Sequence, residues 1–286
     1  MRLADKRAVV TGAGRGIGEA IALTFAAEGA RLVLVSRSSE GLEEVARAAR
    51  ELGAPATTLT ADVSQASTGS LVADLVRREY GGVDILVNNA GIHGPIGPFA
   101  AVDFDAWWRA IEVNLGGTAR ITQALLPDMI AARRGKIINL SGGGATSPLP
   151  NLTAYSVSKT AVVRMTENLS EELRSYNIQV NAIAPGTVDT RLQDQLLAAG
   201  PEVGGDLWVR IKAMRETGKG SVPPSLAAQL AVFLACDDSN RVTGKLISAP
   251  YDPWREWKGS EEELALPMYT LRRVDPFSLR SVKDRL

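Results

Sequence analysis

Short runs of consecutive apolar residues alternate along this chain with longer segments in which apolar residues recur every three or four positions. Because the runs do not alternate with polar residues, they are typical of parallel strands buried on both faces. The predicted strands are residues 8–11, 31–36, 56–60, 83–88, 136–140, 178–183 and 245–248. The predicted helices are residues 18–28, 42–52, 68–80, 104–132 and 154–175. This order predicts an α/β fold, a doubly wound parallel sheet of the Rossmann type with about seven strands and helices on both faces.

Two regions depart from this alternation. Residues 190–224 contain glycine and proline at irregular places and predict a long connection. Residues 251–286 follow the last predicted strand but include Trp254, Trp257 and Tyr269, and aromatic residues are uncommon in unstructured tails. We therefore predict one catalytic domain over residues 1–250, with a C-terminal extension, residues 251–286, that packs on the domain or on a neighbouring subunit.

Composition narrows the class of protein. The chain has 286 residues, with 32 Lys and Arg against 32 Asp and Glu, so no net charge indicates nucleic acid or an anionic membrane as a partner. No apolar run approaches the roughly 20 residues that span a bilayer, and the first strand begins too early to leave room for a signal peptide. A single cysteine, Cys236, suits a reducing compartment. These features predict a cytoplasmic protein.

The chain has one histidine, His93, in the loop NNAGIHGP. One histidine is too few for a His-rich metal site, and no metal is predicted. Since its loop is rich in glycine and proline, we predict that His93 lies at the rim of a site and has a structural role.

The first strand leads directly into a glycine-rich turn, Thr11 to Gly18 with sequence TGAGRGIG, and a helix pattern follows. Glycines allow the backbone a tight turn and a close approach to a diphosphate. The unpaired N–H groups at the start of the helix favour the same anion. This turn predicts a dinucleotide site.

The glycine spacing, GxxxGxG, resembles that of the short-chain dehydrogenase/reductase family. Further matches in family order cover residues from about 8 to 250: Asp62-Val63, Asn88-Asn89-Ala90-Gly91, Asn114, Tyr155 with Lys159, Pro185-Gly186, and Val188 with Thr190. The resemblance implies a nicotinamide cofactor bound by Gly12, Arg15, Gly16, Ile17, Gly18, Ser36, Arg37, Asp62, Val63, Asn88, Ala90, Gly91, Lys159, Pro185, Gly186, Val188 and Thr190.

Cofactor choice depends on the end of the second strand. An acidic residue there pairs with the ribose hydroxyls of NAD and repels a 2′-phosphate. This chain instead has Ser36 followed by Arg37, which suit a phosphate, and Arg15 is a further candidate for the same contact. We predict NADP(H) over NAD(H).

The resemblance also implies the catalytic residues. Tyr155 corresponds to the general acid/base of the family, and Lys159, one helical turn later, is expected to lower the pKa of the phenol and to bind the nicotinamide ribose. Asn114 is expected to hold a water that connects Lys159 to solvent.

The serine of the family pattern is displaced in this chain. It normally lies 13 residues before the tyrosine, where this sequence has Gly142, and Ser141 lies one residue earlier. Either the following loop is one residue longer and Ser141 is catalytic, or the hydroxyl is missing and Thr146, Ser147 or a substrate group replaces it. We take Ser141 as the candidate.

These residues together predict an NADP(H)-dependent oxidoreductase that acts on a small-molecule carbonyl or alcohol. Two alternatives remain: a related epimerase-like enzyme, whose TGxxGxxG turn and larger C-terminal domain this chain lacks, and a non-catalytic redox sensor, which only Gly142 supports. The family also implies a homodimer or homotetramer paired through the two long helices.

Overall fold

A computed structural model describes residues 1–257, 264 and 268–273 of the chain. It contains one seven-stranded sheet in which all neighbouring strands are parallel, in the order β3-β2-β1-β4-β5-β6-β7. The strands are β1 (Arg7–Thr11), β2 (Arg31–Ser36), β3 (Ala56–Thr60), β4 (Ile85–Asn88), β5 (Gly135–Leu140), β6 (Ile178–Ala184) and β7 (Leu246–Ser248). The predicted doubly wound α/β fold is confirmed.

The helices that connect the strands cover both faces of the sheet. They are α1 (Gly16–Ala27), α2 (Ser39–Glu51), α3 (Thr68–Tyr80), α4 (Phe104–Ile111), α5 (Thr118–Ala132), α6 (Thr153–Glu172), α7 (Arg191–Ala198), α8 (Pro201–Thr217) and α9 (Pro224–Ala235). Within the described part of the chain, no helix is long and apolar enough to cross a membrane.

Each strand supplies side chains to two separate cores. Val10 and Leu34 point to the face covered by α1 and α9, whereas their neighbours Val9 and Val33 point to the face covered by α3 and α5. All four side chains are fully buried. Because both faces are buried, the strands consist of continuous apolar runs.

Two parts of the chain differ from the sequence prediction. Residues 190–224 form α7 and α8 rather than a long connection, and α8 is kinked at Gly205, whose φ is +51°. Residues 104–132 are not one α-helix, because a π-helical segment at Glu112–Gly117 separates α4 from α5. The irregular glycines and prolines interrupt the helical pattern of α7 and α8, whereas a single π turn is too short to alter the spacing of apolar residues visibly.

The described part of the C-terminal extension packs on the domain. Trp254 is 4% exposed, lies against Phe233 of α9 with ring centroids 5.9 Å apart, and donates from Nε1 to the carbonyl of Ala249 at 3.0 Å. Further on, the carbonyl oxygen of Tyr269 accepts a hydrogen bond from the N–H of Leu246 in β7, at 2.7 Å. Part of the extension therefore covers the outer edge of the sheet.

Candidate functional site

The strand order reverses between β1 and β4, so the segments that follow these strands separate and leave a crevice at the carboxyl edge of the sheet. Asn89, directly after β4, ties the two segments together. Its Nδ2 donates to the carbonyl oxygens of Thr11 at 3.0 Å and Gly12 at 3.1 Å, and its backbone N–H donates to Thr11 Oγ1 at 3.0 Å. The Ala90 N–H donates to the same hydroxyl at 3.2 Å.

The glycine-rich turn has the backbone geometry that a diphosphate site requires. Gly12 and Gly16 adopt φ values of +63° and +60°, which side chains with a Cβ rarely adopt. A Cβ on Gly18 would lie 2.2 Å from the carbonyl oxygen of Gly12, so α1 begins in close contact with the turn. No side chain caps α1 from Arg15, although the Gly16 N–H donates to the Glu19 carboxylate at 3.2 Å. The turn therefore fits the predicted dinucleotide phosphates.

Ser36 and Arg37 lie beside this turn, at the end of β2. A Cβ on Gly14 would lie 3.3 Å from Ser36 Oγ, and Arg37 and Arg15 are exposed. Across from them, Asp62 pairs with Arg109 of α4 at 2.7 Å. Arg109 did not emerge from the sequence, because no local pattern relates it to Asp62.

Asp62 is held as a carboxylate. Burial opposes the charge, but the hydroxyl and backbone N–H of Ser64, with the charges of Arg109 and Arg37, bring the pKa of Asp62 below its usual value. The next residue, Val63, is buried beneath Gly117 of the π-helical segment. Contacts with Arg109 of α4 and with the π-helical segment thus hold Asp62 and Val63 in place after β3.

Asn88 is used within the sheet. Its Nδ2 donates to Asn139 Oδ1 on β5 at 2.9 Å and to Thr122 Oγ1 on α5 at 3.0 Å. Asn139 in turn donates to Thr166 Oγ1 on α6 at 2.8 Å. The side chain of Asn88 therefore joins strands and helices beneath the crevice.

The segment after β6 closes the far side of the glycine turn. Gly186 has a φ of +82°, Val188 is buried, and a Cβ on Gly16 would lie 3.4 Å from Thr190 Cγ2. Arg215 of α8 secures this segment through ion pairs to Asp189 and Asp194 and a hydrogen bond to the Thr190 carbonyl. Of the predicted residues Pro185, Gly186, Val188 and Thr190, it is Thr190 that lies next to the glycine turn.

Tyr155 and Lys159 occupy the first turns of α6, above the end of β5. Lys159 Nζ lies 5.9 Å from the centroid of the Tyr155 ring and donates to the carbonyl of Leu140 at 2.7 Å. A Cβ on Gly91 would lie 3.4 Å from the same Nζ, so the segment after β4 reaches this pair.

The pKa values of the pair differ from the sequence prediction. Burial raises the pKa of Tyr155 to about 12 and lowers the pKa of Lys159 to about 8. Both shifts disfavour the charged form, as expected where water is excluded. The predicted lowering of the phenol pKa by Lys159 is thus not what the protein alone displays, and the phenol is protonated at neutral pH.

The structure separates the roles of Ser141 and Gly142. The Ser141 hydroxyl is buried and donates to the carbonyl of Lys159 at 3.4 Å, and no hydrogen bond joins it to Tyr155 among the described residues. Gly142 instead faces the phenol, because a Cβ there would lie only 2.2 Å from the Tyr155 oxygen. Thr146 and Ser147 are exposed on the following loop. A catalytic role for Ser141 stays a prediction.

Asn114 lies in the π-helical segment and clamps the backbone of Ile92. Its Oδ1 accepts from the Ile92 N–H at 2.8 Å, and its Nδ2 donates to the Ile92 carbonyl at 2.8 Å and to Ser158 Oγ at 2.9 Å. The side chain is fully buried. Asn114 therefore fixes the loop after β4 against α6, and π-helical turns are frequent at such functional positions.

His93, which follows the clamped Ile92, is not at the rim of the site. It is only 5% exposed, and its ring meets the Tyr155 ring edge-on with centroids 5.0 Å apart. The loop folds inward here because Gly94 packs where a Cβ would lie 2.7 Å from Ala110 Cβ and 3.2 Å from Ala154 Cβ. The predicted rim position is wrong, since glycine served close packing rather than exposure.

Comparisons with known proteins show the family to which this chain is similar. A family model described as short chain dehydrogenase matches residues 6–199. The 3-oxoacyl-[acyl-carrier-protein] reductase of Thermotoga maritima is 36% identical over 247 residues, which cover 86% of this chain and 97% of that protein.

Two solved structures share the fold over most of their length. An NAD+-bound xylitol dehydrogenase has a TM-score of 0.79 and 30% identity, covering 87% of this chain and 98% of that one. An actinorhodin polyketide ketoreductase variant with NADPH has a TM-score of 0.78 and 32% identity, covering 85% of this chain and 95% of that one.

Proposed function

Since this chain belongs to the short-chain dehydrogenase/reductase family, we propose that it is an NADP(H)-dependent oxidoreductase acting on a carbonyl or secondary alcohol. Hydride transfer between a nicotinamide and such a group is the general reaction of the family. The observation that carries the proposal is the Tyr155–Lys159 pair on α6, in which Lys159 is buried against the loop after β4. The bound nicotinamide supplies or accepts the hydride.

Tyr155 exchanges the proton at the substrate oxygen. A phenol whose pKa is raised to about 12 is fully protonated at neutral pH, which is the form that donates to a carbonyl during reduction. The positive charge of Lys159 stabilises the phenolate that remains when Tyr155 gives up this proton. The hydrogen bond from Lys159 Nζ to the Leu140 carbonyl fixes the ammonium at the end of β5. Ser141, bonded to the Lys159 carbonyl, positions that turn of α6.

We propose that the substrate has an apolar part, because the residues that pack around Tyr155 are apolar. A small apolar cluster beside Tyr155 joins the three segments that surround the site: Ile96 from the loop after β4, Leu149 and Leu152 from the loop after β5, and Leu196, Ile211 and Met214 from α7 and α8. Apolar walls with few polar groups are typical of small-molecule sites.

The test of the catalytic role is the Tyr155→Phe variant. A screen of ketones and secondary alcohols, followed by NADPH absorbance, should first identify a turned-over substrate. Tyr155→Phe should then lower kcat by at least a hundredfold while leaving the NADPH dissociation constant within about twofold, because only the proton-transferring oxygen is removed. Lys159→Ala should impair both quantities. Cofactor binding without turnover of any compound would contradict the proposal and favour a redox sensor.

The solved relatives include both NAD+ and NADPH complexes. The proposed preference for NADP(H) therefore rests on Ser36 and Arg37 of this chain. Charge-assisted hydrogen bonds contribute about 1.5–3 kcal/mol each, and about 1.4 kcal/mol is a tenfold change in affinity. NADPH should therefore bind at least tenfold more tightly than NADH in fluorescence titrations. Ser36→Asp should reverse this order, with Ser38→Asp as the matched control; equal affinities in the wild type would refute the preference.

A homo-oligomer is the proposed assembly, and enzymes of this family are commonly oligomeric. Phe104 and Trp108 on α4 are 62% and 50% exposed, with rings stacked 6.4 Å apart. Exposed aromatic residues of this kind are enriched at interfaces between subunits. Light scattering coupled to gel filtration measures the subunit number.

A further inference from the structure

The position that faces the Tyr155 hydroxyl from β5 has no side chain. A Cβ on Gly142 would lie 2.2 Å from the phenol oxygen, and the neighbouring Ser141 hydroxyl is occupied by the carbonyl of Lys159. Gly142 itself therefore offers no side-chain hydrogen bond to a substrate oxygen at Tyr155. Such a bond stabilises the charge that develops on the reacting oxygen.

A polar side chain without a hydrogen-bond partner also lies against the Tyr155 ring. His93 is buried, and neither ring nitrogen has a hydrogen-bond partner among the described residues. Nδ1 is inaccessible to solvent, whereas Nε2 is not fully buried, which leaves Nε2 as the nitrogen available to a ligand. A buried polar group without a partner costs free energy, so its retention calls for an explanation.

We propose that His93 is a substrate-binding residue, whose Nε2–H donates a hydrogen bond to the oxygen on which Tyr155 acts. The inference rests on the proposed function, because it takes Tyr155 as the proton donor. It assigns to the imidazole the contact that a side chain at position 142 would otherwise provide.

The charge state of the ring agrees with this role. Burial, followed by the nearby charge of Lys159, lowers the pKa of His93 to about 4, so the imidazole is neutral at pH 7 and carries one N–H. A buried N–H group without a hydrogen-bond partner is rarer than a buried acceptor without one. This favours the proton on Nε2 rather than on Nδ1. A neutral donor suits an uncharged carbonyl or alcohol.

The position of His93 is fixed by its neighbours. Asn114 holds both backbone groups of Ile92, directly before it, and Gly94, directly after it, packs tightly against α4 and α6. A donor held in this way needs little reorganisation when the substrate binds, which is the condition for effective charge stabilisation.

Three variants separate hydrogen bonding from packing. His93→Phe keeps an aromatic ring against Tyr155, His93→Leu keeps only apolar volume, and His93→Gln keeps a donor. The first two should lower kcat about a hundredfold or more on a ketone that the wild type reduces, and the third should recover activity to within about tenfold of wild type. A purely structural histidine predicts instead that Phe is the mildest replacement. Thermal unfolding should show no loss for Phe, because an unpaired polar group is removed.

A second readout does not depend on rate. Because His93 is the only histidine, protein labelled with ¹⁵N-histidine gives one imidazole signal pair. Adding cyclohexanone and NADP+ to this protein should shift the Nε2 resonance. The His93→Phe variant, labelled in the same way, is the control and should show no imidazole signal. An unmoved Nε2 resonance, with a ketone that the wild type reduces, would overturn the inference while the proposed function stands. Absence of turnover with every ketone and both cofactors would overturn both.

Discussion

At the scale of single residues, the site depends on a side chain that is absent. Gly142 allows the phenol oxygen of Tyr155 to approach the backbone at the end of β5, where even one added carbon would lie 2.2 Å away. Real Cβ atoms are not found at that distance, so a residue other than glycine must displace the phenol or the strand.

We therefore expect Gly142→Ala to lower kcat by at least tenfold, since Tyr155 must leave its position. Thermal stability should fall by about 1–3 kcal/mol, the usual cost of overpacking. Gly143→Ala is the matched control, because nothing lies within 4 Å of a Cβ at Gly143 and its φ is not in the left-handed region. Steady-state kinetics and urea unfolding measure both effects; full activity of Gly142→Ala would show that the phenol does not need this position.

At the scale of secondary structure, the π-helical segment between α4 and α5 sets the position of the loop after β4. The extra residue in its turn brings the Asn114 side chain onto the backbone of Ile92 and onto Ser158 of α6. Loop, π segment and α6 therefore hold one another through a single amide group.

Replacing Asn114 by Ala should lower the free energy of unfolding by about 2–4 kcal/mol, because two backbone groups of Ile92 lose their partner and the Ser158 hydroxyl loses one of its two. The KM for substrate should rise as the loop loosens. Asn114→Asp should fall between wild type and Ala, since a carboxylate still accepts from the Ile92 N–H. An Ala variant with unchanged unfolding midpoint and KM would show that the loop is held by packing alone.

Much of the sheet could be predicted from the sequence, whereas its covering elements could be predicted only in part. The ends of β1 to β7 agree with prediction to within two residues, because strands buried on both faces require continuous apolar runs. The helices α7 and α8 were not predicted, since Gly200, Pro201 and Gly205 interrupt their pattern. Helix formation there depends on tertiary contacts, among them Trp208 Nε1 to the Leu197 carbonyl at 3.0 Å.

The site, too, could be predicted from the sequence only in part. The glycine turn and the Tyr155–Lys159 pair could be placed because motif and neighbouring elements fix them in sequence. The contacts of Asn89, His93 and Arg109 could not, because each joins segments far apart in the chain. Loop composition was misleading for His93, where glycine meant a close approach of backbone to helices.

At the scale of the whole molecule, the described extension closes one end of the sheet. Trp254 packs on Phe233, and Trp257 continues the contact to Tyr269, with ring centroids 5.3 Å apart. Beyond it, the Leu271 N–H donates to Glu167 on α6 at 2.6 Å. The remaining predicted extension lies outside the described residues.

Deleting residues 251–286 should destabilise the domain by about 3–5 kcal/mol, the range for losing a large buried aromatic side chain. The deletion should also promote self-association, because the backbone of β7 and the apolar surface under Trp254, including Phe233, become exposed. Deleting only residues 274–286 keeps every contact described above and is the control. Thermal unfolding and light scattering measure the two effects; a 251–286 deletion that behaves like the full chain would show that the extension contributes nothing to the domain.

The approach of the Tyr155 oxygen to Gly142 also constrains how this protein can diverge. A glycine whose place is filled by another residue's side chain tolerates substitution only if a second position changes with it. If His93 compensates for the missing hydroxyl, glycine at 142 and a hydrogen-bond donor at 93 form an inherited pair. Homologous chains should then carry both or neither, and the two positions should covary although they lie 49 positions apart in the sequence.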